Sequence, residues 1–95
     1  MQNQTFGAAL EAAKQGKRIS REGWNGRYMF VFQGMPRVEI NSDKGGFTTS
    51  VDAAEELKSP YAGPCLCLKT AQDTIQVGWL ASQDDMLAND WTILD

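Results

Sequence analysis

Of three tryptophans in 95 residues, Trp24, Trp79 and Trp91, two lie at element junctions. Trp24 lies in Gly23-Trp-Asn-Gly26, Trp79 comes just before a helix start, and Trp91 opens a terminal strand. A flat ring left partly exposed near a helix N-terminus can hold a nucleobase by stacking, worth ~1–3 kcal/mol per base. A tryptophan in a small domain can equally anchor the core. The core reading is favoured for Trp91, and both stand for Trp24 and Trp79. Between Thr74 and Trp91 the chain is dense in hydrogen-bonding side chains: Ser82, Gln83, Asp84, Asp85, Asn89 and Asp90. Carboxylates and amides recognise ribose hydroxyls, and the helix start near Ser82 could offer free N–H groups to a phosphate. Acid–base catalysis would also use carboxylates. Yet Asp84 and Asp85 are adjacent, so on a helix they point about 100° apart. A capped, solvated helix start explains the same residues without any ligand.

Lys17, Arg18 and Arg21 form the one basic cluster, and Arg21 is a candidate partner for phosphate. In an extended segment Lys17 and Arg21 share a face with Ile19, while Arg18 faces away. A charged strand edge that discourages aggregation is the alternative. Gly23-Trp-Asn-Gly26 has neither P-loop nor dinucleotide-fold spacing. With no histidine in the chain, His-based triads, His-ligated zinc and His general bases are ruled out. Cys65 and Cys67 are the only thiols. On a strand they share one face, a poor geometry for a disulfide, and two thiols alone do not complete a tetrahedral zinc site. They read as small core residues, with a paired metal or redox site across subunits as the alternative.

The elements that must position these groups are short. Thr5 caps a helix through Phe6, Leu10 and Ala13 that exits at Gly16. Lys17-Arg-Ile-Ser20 reads as a strand, Arg21 to Gly26 as a turn, and Tyr28-Met-Phe-Val-Phe32 as a buried strand. From Gly34 to Pro64 the pattern weakens. Asn41 to Gly46 is loop-like, and Val51 to Leu57 suits two helical turns. Cys65–Thr70 and Ile75–Val77 form a hairpin around Ala71–Thr74. Ala81 to Ala88 is a short helix capped by Ser82, and Asp90 to Leu94 closes as a strand. The sum is an α+β fold, a small twisted antiparallel sheet with the N-terminal helix across one face and a short C-terminal helix, expected as a single domain over 1–95.

Composition narrows the partners. The net charge is −3, which argues against DNA or RNA polymers. It is unevenly placed. Residues 1–37 hold six basic side chains against two acidic ones, a local +4, and residues 38–95 hold three against ten, a local −7. A small anion held by a few groups fits this division. No stretch reaches the ~18 apolar residues of a membrane span, and no signal-peptide block opens the chain.

The sequence as a whole resembles a small phage and prophage family, the Thoeris anti-defense proteins of the second type. The resemblance rests on Thr5-Phe-Gly-Ala-Ala-Leu10, Lys17 to Gly26, Leu68-Lys-Thr-Ala71 and, most specifically, Trp79-Leu-Ala-Ser-Gln-Asp-Asp-Met-Leu-Ala-Asn-Asp-Trp91. It implies a protein that is not an enzyme and needs no cofactor or metal. Such a protein acts as a sponge that sequesters cyclic ADP-ribose isomers in the cytoplasm of the infected bacterial host. It further implies a homotetramer with pockets between subunits and, in some members, cyclic di- or oligonucleotide binding that blocks CBASS immunity. Carried onto this chain, the motif positions are Phe6, Trp24, Trp79, Ser82, Gln83, Asp85, Asn89 and Asp90, with stacking given to the aromatic residues and polar contacts to the rest. A cyclic-nucleotide phosphodiesterase and a phage structural or protein-interaction module remain the alternatives.

Overall fold

The computed structural model describes residues 1–24, 28–35, 38–40, 47–49 and 63–94, with 38–40 and 47–49 described by backbone alone. These fall into two compact units, Met1–Gln33 with Cys65–Asp95, and Gly34–Pro64. The second unit contains a parallel pair, β3 (Val38–Ile40) and β4 (Phe47–Thr49). The readings of Asn41–Gly46 as a loop and Val51–Leu57 as helical lie outside the described residues. All candidate site residues belong to the first unit.

That unit is the expected α+β arrangement. Helix α1 (Phe6–Lys14) starts at Thr5, whose hydroxyl accepts the Ala8 N–H at 3.1 Å, and Gly16 exits at a φ of 93°. Its buried stripe is Ala9, Ala12 and Ala13. The sequence pattern had placed Phe6, Leu10 and Ala13 on that stripe. Of these only Ala13 is fully buried, and Phe6 packs at the core's edge. The reason is size: alanines let the helix axis approach the sheet closely, and the larger apolar side chains are pushed to the flanks.

The sheet runs β6-β5-β2-β1-β7. Its strands are β1 (Ile19–Arg21), β2 (Phe30–Gly34), β5 (Cys65–Lys69), β6 (Ile75–Val77) and β7 (Trp91–Ile93). β1 pairs antiparallel with both β2 and β7, and β5 with β6. Register aligns Ile19 with Val31 and Ile93, and Arg21 with Trp91. Ile19, Val31, Leu68 and Trp91 therefore meet the α1 alanines in one core. Residues 1–4 cover the outer edge of β7: Gln4 and Trp91 exchange N–H···O bonds of 2.9 and 3.1 Å, and the Ile93 N–H donates to the Met1 carbonyl. An edge paired this way is closed to further strand addition.

β2 begins two residues later than its sequence suggests. Tyr28 has a φ of 60° and is exposed, so it belongs to the preceding turn. An aromatic residue rarely takes that conformation. Here Lys69 supports it, donating to the Tyr28 carbonyl at 3.2 Å with its ammonium 6.0 Å from the ring centre.

Candidate functional site

Trp91 is the floor of the site. It is completely buried, as its position in a closing strand suggests, and its indole N–H donates to the Asp85 carbonyl at 2.9 Å. Three rings lean on it: Phe6 at 5.3 Å, Trp24 at 5.5 Å and Trp79 at 6.3 Å between centroids. Trp24 and Trp79 also meet edge to face at 6.1 Å. Both remain half-buried, so each has an inner side packed on Trp91 and an outer side open to solvent. These two rings are part of the packing and still present aromatic surface.

Helix α2 (Gln83–Leu87) has a reciprocal cap. The Ser82 hydroxyl accepts the Asp85 N–H at 3.1 Å, and the Asp85 carboxylate accepts the Ser82 N–H at 3.0 Å. Asp85 Oδ1 also accepts from Arg21 Nη1 at 2.9 Å, and Asp90 Oδ1 accepts from Arg21 Nε at 2.9 Å. One guanidinium thus bridges two carboxylates contributed by the other end of the chain, a task for which its planar fork is suited. Asp90 Oδ2 reaches further and accepts the Gly23 N–H at 3.1 Å. A Cβ on residue 23 would stand only 3.2 Å from that oxygen, so glycine permits the approach. The Trp24 N–H closes the turn onto the Arg21 carbonyl.

The electrostatics follow from these bonds. Burial alone would raise the Asp85 carboxyl, but hydrogen bonds from Arg21, Ser82 and the Trp24 side chain together hold it below the usual carboxylate range. Asp90 is lowered chiefly by its bond from Arg21. Arg21 is raised in turn by Asp90 and then Asp85. The positive and negative portions of the chain meet, and at this point they neutralise one another.

Of the nine residues singled out from sequence, Arg21, Trp24, Trp79, Ser82, Asp85 and Asp90 form one connected network, and Phe6 joins it through Trp91. Gln83 and Asn89 are exposed and stand outside it. Beside the network a pocket of about 380 Å³ is lined by Arg18, Ser20, Arg21, Glu22, Trp24, Tyr28, Met29, Phe30 and Leu94. Its size lies within the range of small-molecule sites. Trp24 and Arg21 are common to the network and the pocket. Arg18 belongs to the basic cluster legible in the sequence, whereas Ser20, Tyr28 and Phe30 carry no site signal of their own there. The alternation Arg18, Ser20, Glu22 on one face of an extended segment was the available signal, and the Arg18 guanidinium indeed lies over the Phe30 ring at 5.2 Å.

The residues that build the cap, the salt-bridged turn and the three-ring packing lie within one family match. The family description "Thoeris anti-defense 2-like domain" (Tad2-like) matches residues 4–94. The chain belongs to this family. A curated relative, "Thoeris anti-defense 2" of Bacillus phage SP01, is 41% identical over 91 residues, which cover 95% of this chain and 93% of the relative. The Tad2-like match spans both units and every candidate site residue.

Proposed function

We propose that this protein is a phage anti-defense protein that binds and sequesters a cyclic ADP-ribose-type signalling nucleotide without degrading it, and so blocks Thoeris immunity. The observation that carries the proposal is the family match over residues 4–94, reinforced by 41% identity to a phage protein named for Thoeris anti-defense. The geometry supports it. A nucleotide of this class has a base to stack, riboses that donate and accept, and phosphates that need cations. Trp24 and Phe30 line the pocket with aromatic surface, and Arg18 brings positive charge to its wall, while Arg21 is engaged by Asp85 and Asp90. Of the carboxylates a hydrolase reading would use, Asp84, Asp85 and Asp90, the last two are held ionised by Arg21. A carboxylate below its usual range is a poor proton donor at neutral pH. The small size of one chain beside a dinucleotide-sized ligand fits an oligomer; the family resemblance implies a homotetramer, and it extends the reading to cyclic oligonucleotides of CBASS signalling.

Calorimetric titration with a panel of cyclic ADP-ribose isomers and cyclic dinucleotides tests the ligand class. Heating the complex should then return the ligand chemically intact. Recovery of a cleaved product, or the absence of heat with every member of the panel, overturns the proposal.

A further inference from the structure

The α1 side of the sheet is filled by the common core, and strand β5 contributes Leu66 and Leu68 to it. Cys65 and Cys67 alternate with these leucines, so the pleat sends both thiols to the other face. Both are free thiols; Cys67 is 2% exposed and Cys65 is half-buried. Their sulfurs stand 3.8 Å apart.

That separation selects among partners. A disulfide requires the sulfurs to close to about 2.05 Å with converging Cβ atoms, whereas these two side chains project side by side from one pleated face. Trivalent arsenic is pyramidal, with bond angles below tetrahedral, so two sulfurs bonded to it lie somewhat closer than the 3.8 Å seen here. A small rotation at the half-buried Cys65 brings the reduced pair to that spacing. A four-coordinate metal ion needs more than the pair provides: among the described residues no group of three or more Cys, Asp or Glu gathers to hold one. Burial first, and then the contact with Cys65, push the Cys67 thiol up. Reagents that require a thiolate are disfavoured there. A centre that takes both thiols and forms an uncharged ring is not.

We propose that Cys65 and Cys67 form a two-sulfur clamp for a thiophilic centre of the monosubstituted trivalent arsenical class. In the reaction with phenylarsonous acid, two S–H and two As–O bonds break, and two S–As and two O–H bonds form. Two waters leave and arsenic stays trivalent, so no oxidant or reductant takes part. Entry begins at Cys65, the more exposed sulfur, and ring closure follows at Cys67. Strand β6, which flanks the pair, is an exposed edge strand. The clamp lies outside the Trp24 network and does not depend on the nucleotide reading.

Phenylarsine oxide, which hydrates to that acid, is the probe. Native intact-mass measurement should show one phenylarsenic per folded chain. Because the second S–As bond forms within the chain, wild type should hold the probe about a hundredfold more tightly than Cys65→Ser. Excess 2,3-dimercaptopropanol should release it, and an equal concentration of a monothiol should not. Cys65→Ser alters the half-exposed sulfur and decides the matter even where Cys67→Ala does not fold. Equal affinity in wild type and Cys65→Ser, release by the monothiol, or an adduct that forms only on the unfolded chain overturns the clamp.

Discussion

Asp85 makes four bonds to three residues: its carboxylate takes bonds from Arg21 and the Ser82 N–H, its carbonyl takes the Trp91 indole, and its own N–H donates to the Ser82 hydroxyl. Replacing it with alanine removes one half of a capping box and one partner of a partly buried ion pair. We expect Asp85→Ala to lower unfolding free energy by about 2 kcal/mol, less than for a fully buried pair because Arg21 keeps Asp90 and some solvent. Urea titration reads this directly. The tryptophans should separate in the same assay. Trp91→Ala empties the floor of the core and should cost about 3–5 kcal/mol, enough to unfold a marginal domain. Trp24→Ala and Trp79→Ala should leave a folded protein of reduced stability, since each ring packs on Trp91, and should weaken nucleotide binding. Unchanged affinity in both would remove the stacking role. Of these residue roles, the aromatic character of the site was legible in the sequence. The sharing of Asp85 and Asp90 by one arginine was not, because 64 and 69 positions separate the partners.

At the scale of elements, α2 is only five residues long. So short a helix does not sustain itself in water, and its existence depends on its ends and on its neighbours. Ser82→Ala removes the hydroxyl that accepts the Asp85 N–H and should cost about 1 kcal/mol. The same change should loosen the Arg21–Asp85 bond, visible as a shift in tryptophan emission before global melting. An unchanged melting temperature and spectrum would show that tertiary contacts alone hold the turn. The hairpin of β5 and β6, the Thr5 and Ser82 caps and the Gly16 exit were all readable, since each depends on residues within a few positions of one another. The start of β2 was not. Val, Phe and Tyr in succession read as strand throughout, and only the lysine on β5 shows why Tyr28 turns away.

For the whole molecule, the Arg21 network links stability to pH. Asp85 and Asp90 are both below their unfolded values in the native state. Their contribution is therefore fully present above the ordinary Asp value of about 3.9, and it is lost as pH falls through the lower folded values, where the unfolded chain binds more protons. Stability should rise with pH across this acidic window. Unfolding midpoints at pH 3 and pH 6 should differ in that direction, and Arg21→Ala should flatten the difference. An identical slope in the variant would place the acid sensitivity elsewhere. The ligand-binding reading adds a second linkage: nucleotide at a hundred times its dissociation constant should raise stability by about 2.7 kcal/mol.

Local chemistry thus determined a good part of this protein in advance: the helix caps, the hairpin, the mixed α+β class, the burial of Trp91 and the family motif from Trp79 to Trp91. These depend on short-range propensity and on residue types, which any stretch of chain carries with it. The charge division was visible too, with +4 in the first 37 residues and −7 in the remainder. Only the tertiary structure decided where those charges go. Pairing β1 against β7 sets Arg21 opposite Trp91 and brings it within reach of Asp85 and Asp90, so part of the imbalance is spent within the fold. The same pairing sets Trp24 between the core and an open pocket. Contacts of that range depend on register and on which face each strand presents, and neither is carried by any residue alone.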